Sequence, residues 1–198
     1  MNNKTVKQEI KDSISVKQLF LDDDVCIQQI VDLADRCSKS LRNGGKIIFC
    51  GNGGSFADAQ HLSAEFTSRF LFDRPGLASI ALGTNSSSMT AIGNDYGYEK
   101  VFSREIESIA HPKDVLIAIT TSGNSLNVLK AIETAYMIDL PVVVLTGQGR
   151  GKLGEDVATI NVPSTNTARI QECHILIGHI ICGLVEADIF GEESPNNE

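Results

Sequence analysis

Apolar side chains in the first 42 residues recur at helical spacing. From Val6 to Leu41 they return every three or four positions, and three consecutive aspartates beginning at Asp22 interrupt the pattern. Aspartate favours helix N-termini, and the sequence Asn43-Gly44-Gly45 supplies the left-handed residue with which many helices end. The pattern predicts an N-terminal arm of two helices, residues 1–42, in which the aspartates form a solvated cap.

Beyond residue 42, short apolar runs alternate with helical patterns. The apolar runs predict five strands, at residues 46–50, 78–82, 114–119, 141–146 and 157–162. The helical patterns predict four helices, at residues 56–70, 99–110, 126–138 and 167–190. Residues 84–97 are rich in Ser, Asn and Gly and predict a loop, and the polar residues 191–198 predict a frayed tail.

This alternation indicates the fold class α/β. Short buried strands separated by helices predict a parallel sheet that is covered on both faces and joined by right-handed crossovers. We expect a three-layer, Rossmann-like (flavodoxin-like) architecture in one domain, because 198 residues suit a single core. Such sheets bind ligands at the carboxyl ends of their strands.

Two polar turns follow strands and are candidates for ligand binding. The first, Cys-Gly-Asn-Gly-Gly-Ser at residues 50–55, indicates either an anion-binding corner or a tight turn without a ligand. The second, Thr-Thr-Ser-Gly-Asn-Ser at residues 120–125, offers more hydroxyl groups than a helix cap needs and suits a phosphate ester. Neither matches a nucleotide motif, because Phe56 replaces the third dinucleotide glycine and the second turn lacks the P-loop lysine.

Two predicted helices carry side chains that can bind a metal or a substrate. His61 and Glu65 are four residues apart and share a helix face, although such pairs are also common on solvated surfaces. The last helix carries Gln171, Glu172 and His179. Helical spacing alone pairs His179 with Glu172, and a core histidine is a second open interpretation because Ile and Leu residues surround His179.

Charge and composition argue against several classes of function. A net charge of −8, a pI near 5.0 and the lack of a Lys/Arg cluster argue against a nucleic-acid partner. The five cysteines are odd in number and lie among apolar residues, which indicates buried thiols rather than disulfides. We expect a cytoplasmic protein without a membrane partner, since we identify neither a signal peptide nor an uncharged stretch long enough to span a bilayer.

The motifs together resemble a sugar isomerase (SIS) domain, and within that group the phosphoheptose isomerases. Five segments carry the resemblance: residues 50–55, Gln-His-x-x-x-Glu at 60–65, Gly-Asn-Asp at 93–95, Thr-Ser-Gly-Asn-Ser at 121–125 and Arg-Ile-Gln-Glu-x-His at 169–174. Their order and spacing are far more specific than any single motif. The resemblance implies a SIS domain over residues 43–190, with the helical arm as part of the same unit.

The resemblance implies an aldose–ketose isomerase, an intramolecular oxidoreductase. The expected reaction converts D-sedoheptulose 7-phosphate to D-glycero-D-manno-heptose 7-phosphate through a cis-enediol, and feeds heptose synthesis for bacterial surface polysaccharide, lipopolysaccharide or capsule. The resemblance further implies that Glu65 is the base and that His179 is the acid. It also implies one zinc ion per subunit, held by His61, Glu65, Gln171 and His179, and so selects Gln171 over Glu172.

The resemblance also implies the substrate contacts and the assembly. The expected phosphate-binding residues carry hydroxyl groups, and they are Ser55, Thr120, Thr121, Ser122 and Ser125. The expected lining of the sugar pocket is Asn52, Gly53, Gly54, Asn94 and Asp95, together with Glu65 and Gln171. Ala168 stands where several family members carry an aspartate, so one sugar-hydroxyl contact lacks its expected carboxylate, and replacement of that contact by neighbouring Thr167 is an open alternative.

A homotetramer with sites at subunit interfaces is also implied. If the sites are shared between subunits, His61 and Glu65 would meet Gln171 and His179 only across an interface.

Two alternative functions are open at this point: a non-catalytic SIS binding module of the kind that binds a replication initiator, and an isomerase of another sugar phosphate. Retention of both Glu65 and His179 favours an enzyme.

Overall fold

Five strands and seven α-helices follow one another in the computed structural model, which describes residues 2–191. The strands are β1 (Ile47–Gly51), β2 (Ser79–Ala81), β3 (Val115–Ile119), β4 (Val142–Thr146) and β5 (Thr159–Asn161). The helices are α1 (Asn3–Leu21), α2 (Asp24–Arg42), α3 (Gly54–Thr67), α4 (Ser86–Tyr96), α5 (Val101–Ile109), α6 (Leu126–Met137) and α7 (Thr167–Phe190). A short 3-10 helix, Tyr98–Lys100, precedes α5.

The strands form one parallel sheet in the order β2-β1-β3-β4-β5. This is the flavodoxin-like order, so the predicted fold class is confirmed. The direction in which the sheet grows reverses between β1 and β3, where Gly51 pairs with Ile119 at the carboxyl ends. A ligand crevice is expected outside such a switch point, and both predicted polar turns begin there.

Both faces of the sheet are covered, which explains why β1, β3 and β4 are buried at every position. Side chains such as Phe49 and Ile117 pack with residues of α1, α2, α3 and α7 in one apolar cluster. Their neighbours Ile48 and Leu116 point the other way, into a cluster with α5 and α6. The three layers are therefore helices, sheet and helices.

The N-terminal arm forms the two predicted helices. The Asp23 carboxylate accepts hydrogen bonds from the N–H groups of Val25 and Cys26, so an aspartate caps α2 as expected. Gly44 has a φ of +72°, the left-handed conformation expected after α2. Phe20 of α1 and Ile30 of α2 are buried in the same cluster as β1 and β3, so the arm shares the core of the sheet.

The prediction of a loop at residues 84–97 is wrong, because α4 occupies most of this segment. The Asn85 side chain accepts a hydrogen bond from the N–H group of Ser88 and caps the helix, and Gly97, with a φ of +91°, ends it. Ser and Asn favour turns because their side chains bond to nearby backbone, but the same property makes Asn85 a helix cap here. Asn94 and Asp95 consequently lie in the last turn of a helix.

Several predicted helix boundaries are also wrong by a few residues. Helix α3 begins at Gly54 and ends at Thr67, earlier at both ends than the predicted 56–70. Gly53, with a φ of +57°, permits the early start, and the guanidinium of Arg74 binds the carbonyl oxygens of Glu65 and Phe66 near the end. The predicted helix 99–110 is divided between the 3-10 helix and α5.

Helix α7 spans the predicted range 167–190. Contrary to our expectation, it is long and apolar enough, by length and composition alone, to cross a membrane. Its inner face, including Ile177, Ile181 and Val185, is buried in the core beside the sheet, and such core helices pass the same test. The polar tail predicted at residues 191–198 lies, beyond Gly191, outside the described residues.

All five cysteines are free and buried, which confirms the prediction of buried thiols. Burial raises the pKa of Cys37 and of Cys50 to about 12. These side chains therefore act as small apolar groups of the core, and not as nucleophiles.

Candidate active site

The first polar turn forms a tight corner at the switch point. Gly53 precedes α3, and no side chain caps the helix. The N–H groups of Ser55 and Phe56 are already bonded to the carbonyl oxygens of Asn52 and Gly53. Fewer N–H groups of the corner are therefore free to bind a phosphate group, and the corner leads directly into α3.

Three side chains that can bind a metal converge one turn further along α3. His61 Nε2 lies 2.9 Å from His179 Nε2 and 3.2 Å from Glu65 Oε1. One ligand atom from each of these residues lies within 4.8 Å of the other two. The predicted group of His61, Glu65 and His179 is thus brought together, although His61 and His179 are separated by 118 positions in the sequence.

Close packing of α3 against α7 produces this convergence. Gly178 precedes His179, and a Cβ atom at Gly178 would overlap the side chain of Leu62 on α3. Glycine at this position lets the two helix backbones approach each other. On the far side of His179, the ring of Phe70 stacks on the imidazole with a centroid distance of 5.5 Å and an interplanar angle of 21°.

Gln171 points to the site, whereas Glu172 does not. A Cβ atom on Gly54 would lie 2.5 Å from Gln171 Nε2, so the amide of Gln171 packs on the first residue of α3. Glu172 instead accepts a hydrogen bond from the Ser13 hydroxyl and pairs with Lys17 and Arg169. The pairing of His179 with Glu172 that spacing suggested is therefore wrong, because Glu172 faces α1.

One chain brings His61, Glu65 and His179 together. His61 and Glu65 lie on α3, while Gln171 and His179 lie on α7 of the same chain. The expectation that they meet only across a subunit interface is therefore wrong. His179 is also more than a core histidine, since its ring contacts His61 and is partly exposed.

The second polar turn has free groups suited to an anion. Ser125 is the N-cap residue of α6 but makes no side-chain capping bond. Among the described residues, the hydroxyl groups of Thr121 and Ser125 have no hydrogen-bond partner, whereas Thr120 and Ser122 accept hydrogen bonds from Gly123 and Asn124 within the turn. The turn can therefore present hydroxyl groups and a helix N-terminus to one ligand.

A neighbouring loop supports this turn. The N–H group of Lys152 donates to the carbonyl oxygen of Gly123, and a Cβ atom on Gly123 would overlap the carbonyl of Arg150. The guanidinium of Arg150 in turn bonds to Thr159 and to the carbonyl oxygen of Val157. The turn is thus braced against β5, which fixes its hydroxyl groups in place.

Asn52 belongs to a hydrogen-bond network that sequence reasoning missed. Its side-chain amide exchanges two hydrogen bonds of 2.8 Å with the buried amide of Asn127, and the Tyr98 hydroxyl donates to Asn52 Oδ1. Asn127 follows the second polar turn and was predicted only as part of a helix. The network joins the two turns and positions Asn52 at the crevice.

Asn94 and Asp95 are not joined to the other predicted site residues. Both are exposed in the last turn of α4, where Asn94 Nδ2 donates to Asp95 Oδ1. Apart from this bond between them, neither side chain has a hydrogen bond to a predicted substrate contact in the described part of the chain. Their predicted contact with the sugar stays a prediction.

The donor set at His61, Glu65 and His179 fits a zinc ion. Two imidazole nitrogens and one carboxylate oxygen are typical zinc ligands. Their ligand atoms converge from two rigid helices, and the amide of Gln171 reaches the first residue of α3 nearby. The chemistry and convergence of these residues therefore agree with the metal site that the resemblance implies.

Comparison with known proteins agrees with this fold. The SIS domain family matches residues 24–147, more than half of the chain. The protein is therefore a SIS-domain protein. Phosphoheptose isomerase 2 of Campylobacter jejuni is 50% identical over 192 residues, which cover 96% of this chain and 95% of that relative. The phosphoheptose isomerase of Aneurinibacillus thermoaerophilus is 50% identical over 190 residues, 95% of this chain and 96% of the relative. Within the SIS class, the chain belongs to the phosphoheptose isomerase family.

Two solved structures support the same assignment. The phosphoheptose isomerase of Neisseria gonorrhoeae has a TM-score of 0.85 and 41% identity, and the match covers 93% of this chain and 98% of that one. The phosphoheptose isomerase of Francisella tularensis has a TM-score of 0.86 and 35% identity with the same coverage. The similarity therefore includes the helical arm as well as the sheet.

Proposed function

We propose that the protein is a phosphoheptose isomerase, which interconverts D-sedoheptulose 7-phosphate and D-glycero-D-manno-heptose 7-phosphate. The observation that carries this proposal is the convergence of Glu65 and His179 in a chain 50% identical, over nearly its full length, to phosphoheptose isomerases. The product would supply heptose for a bacterial surface polysaccharide, in lipopolysaccharide or capsule.

Glu65 and His179 carry the proton transfers in this proposal. Isomerisation moves a proton between C1 and C2 of the sugar through a cis-enediol, and needs a base, an acid and stabilisation of oxygen charge. Glu65 removes the proton from C1 of the ketose while His179 donates a proton to the C2 oxygen. Return of a proton to C2 and loss of the proton from the C1 hydroxyl complete the aldose.

His61, Glu65, Gln171 and His179 would hold one zinc ion. A bound zinc ion supplies Lewis-acid stabilisation of negative charge on the sugar oxygens. Because metal ligation lowers the basicity of a carboxylate, the roles of Glu65 as ligand and as base oppose each other. Elemental analysis of protein purified without added zinc tests the metal site, and full activity without bound metal would count against an essential role for the metal.

The hydroxyl-rich turn would bind the substrate phosphate. Ser125 and Thr121 have free hydroxyl groups, and the braced turn positions them beside the N-terminus of α6. A dianionic phosphate is stabilised by such donors and by the positive end of the helix dipole. The remaining phosphate contacts proposed are Ser55, Thr120 and Ser122, and the sugar contacts proposed are Asn52, Gly53, Gly54, Asn94 and Asp95.

We also propose a homotetramer with sites bordered by subunit interfaces. Val6, Ile10 and Ile14 form one exposed apolar stripe on α1, with 55–60% of each side chain exposed. Leu176, Ile180 and Leu184 form a second stripe on α7. Since Ile180 follows His179 directly, subunit packing on the second stripe would lie beside the active site.

Turnover of sedoheptulose 7-phosphate by the purified protein tests this function. We expect Glu65→Gln and His179→Asn to lower kcat by about 100-fold or more, because each removes a proton-transfer group. Glu107→Gln is the matched control, since Glu107 is an exposed glutamate paired with Arg104 on α5. Full activity of Glu65→Gln would exclude Glu65 as the base.

A panel of pentose, hexose and heptose phosphates distinguishes the alternative functions. Preference for a pentose or hexose phosphate would identify another sugar-phosphate isomerase. Binding without turnover of any sugar would support a non-catalytic SIS module. The close approach of Glu65, His61 and His179 favours catalysis over that module.

A further inference from the structure

We propose that the buried ion pair between Arg74 and Glu186 positions the catalytic groups. The pair joins the end of α3, the segment that follows it and α7, and so fixes Glu65, Phe70 and His179 relative to one another. The proposal rests on the isomerase function proposed above. It assigns to Arg74 and Glu186 a positioning role, without contact with the substrate.

The pair is buried and fully engaged. The side chains of Arg74 and Glu186 are 2% and 0% exposed, and Arg74 Nε lies 2.7 Å from Glu186 Oε1. The other guanidinium nitrogens donate to the carbonyl oxygens of Glu65 and Phe66, each at 2.8 Å. The last carbonyl groups of a helix lack intrahelical partners and carry its negative dipole charge. Arg74 therefore fixes the turn of α3 that carries Glu65.

Glu186 holds the next segment of the chain. Its carboxylate oxygens accept hydrogen bonds from the N–H groups of Phe70, at 3.0 Å, and Leu71, at 2.7 Å. Burial by itself raises the pKa of Glu186, but these N–H groups and the Arg74 guanidinium outweigh burial and lower the pKa. The ionised carboxylate thus anchors Phe70, whose ring stacks on His179.

The location of Glu186 connects these contacts to the catalytic histidine. Glu186 lies seven residues after His179, two turns along nearly the same face of α7. An apolar pair could fill the same volume, and such replacements often preserve stability. No apolar pair could bind two carbonyl groups of α3 and two N–H groups of the following segment. The two buried charges therefore make contacts with α3 and the following segment that an apolar pair could not make.

The chain offers a matched control for loss of a buried ion pair. Asp114 is buried, pairs with Lys46, and accepts hydrogen bonds from the N–H groups of Lys46 and His111. It lies before β3, at the opposite end of the strands from the site. Asp114→Asn therefore removes a comparable buried charge without touching the catalytic groups.

The test compares Glu186→Gln, Arg74→Lys and Asp114→Asn in the full chain with its metal. Each variant is assayed for kcat, KM and Tm, and its histidine imidazole signals are recorded by 1H–15N NMR. The chain has only four histidines, which makes assignment by single substitution practical. Arg74→Lys keeps the charge, but a lysine ammonium cannot bind Glu186 and two helix carbonyls in the same fork geometry.

We expect Glu186→Gln and Arg74→Lys to lower kcat about tenfold or more with little change in KM, because small displacements of catalytic groups have large effects. The His179 signal should shift in both variants. Asp114→Asn should lower Tm and shift the His111 signal, with kcat unchanged. If Glu186→Gln does not fold, Arg74→Lys provides the same comparison.

Two results would overturn the proposal. One is wild-type kcat and an unshifted His179 signal in a folded Glu186→Gln or Arg74→Lys protein. The other is an equal loss of kcat in Asp114→Asn, which would show that any buried ion pair has this effect through stability alone. If the wild-type protein fails to convert the heptose phosphate, the isomerase function fails, while the His179 signal still reports whether the pair positions the histidine.

Discussion

At the scale of single residues, the site is distinguished by polar groups that the fold leaves free. Side chains of Asn2, Asp23, Asn85 and Asn166 cap four of the helices with hydrogen bonds to backbone N–H groups. Ser125 is an equally suitable capping residue but makes no such bond. A free hydroxyl at a helix N-terminus is available to a ligand, as phosphate binding requires.

Replacement of Ser125 by alanine tests this availability. We expect Ser125→Ala to raise KM for the sugar phosphate about tenfold, the effect of losing one hydrogen bond to a charged group. Stability should change little, because no capping bond is lost. Ser108→Ala is the control, since the exposed Ser108 hydroxyl bonds to Glu105 away from the site. Lower Tm with unchanged KM would show that Ser125 acts only as a cap.

A second residue-scale prediction concerns His174, which is fully buried. Burial lowers its pKa to about 4, and its contact with the Thr146 carbonyl opposes this only in part. Between pH 6.5 and pH 4 the unfolded chain binds a proton at His174 and the folded chain does not, so stability falls as the pH falls. We expect a loss of about 2 kcal/mol between pH 7 and pH 5 from this residue.

Urea unfolding at fixed protein concentration measures this loss. His174→Gln cannot titrate, so its free energy of unfolding should fall less than that of the wild type between pH 7 and pH 5, whatever its absolute value. An equal pH dependence in the two proteins would show that folding does not lower the pKa of His174. Both measurements use the same protein concentration, because the proposed subunit association would also contribute to apparent stability.

At the scale of elements, the contact between α3 and α7 forms the catalytic group. The two helices carry all four proposed zinc ligands, and their separation depends on Gly178 beside Leu62. Interiors are packed too tightly to absorb an extra methyl group without movement. The position of one glycine thus links helix packing to the distance between His61 and His179.

Gly178→Ala should therefore destabilise the protein by about 1–3 kcal/mol through overpacking. Activity should fall as well, because the alanine methyl group separates α3 from α7. Gly183→Ala on the same helix is the control, since a Cβ atom there would lie at an ordinary contact distance of 3.5 Å from Phe70. Alanine in a helix interior is normally favourable by about 0.5–1 kcal/mol. Equal Tm and activity for both variants would contradict the role of Gly178.

At the scale of the whole molecule, the charged surface is interrupted by apolar stripes on α1 and α7. A chain with a net charge of −8 has ample charge to remain dispersed, yet Ile10 and Ile14 are 55% and 60% exposed side by side on one helix face. Contiguous exposed apolar side chains are typical of interaction surfaces. Association of four identical chains would cover them.

If the proposed tetramer forms, the double substitution Ile10→Glu/Ile14→Glu should convert it to smaller species, because the substitution places charges in the proposed interface. Light scattering after size-exclusion chromatography gives the mass, and circular dichroism reports whether the chain stays folded. Lys11→Glu, at an exposed position of the same helix, controls for the change of charge. A monomeric wild-type protein, or an unchanged tetramer in the double variant, would contradict the proposed assembly.

Local pattern was sufficient to predict the layers of the fold. Apolar runs identified β1, β3 and β4, and α7 has the predicted bounds, because strands buried on both faces and long apolar helices have distinctive composition. The polar turns at residues 50–55 and 120–125 followed from the same pattern. The choice of Gln171 came from the resemblance, and spacing alone would have chosen Glu172.

Only the tertiary structure decided which side chains meet. Asn52 and Asn127 are 75 positions apart, and Arg74 and Glu186 are 112 positions apart, so no local pattern could indicate either pair. The direction of Glu172 depends on its contacts with Ser13 and Lys17 of α1, more than 150 positions away. Periodicity determines which face of an element is apolar, but contacts between elements depend on how all those faces pack together.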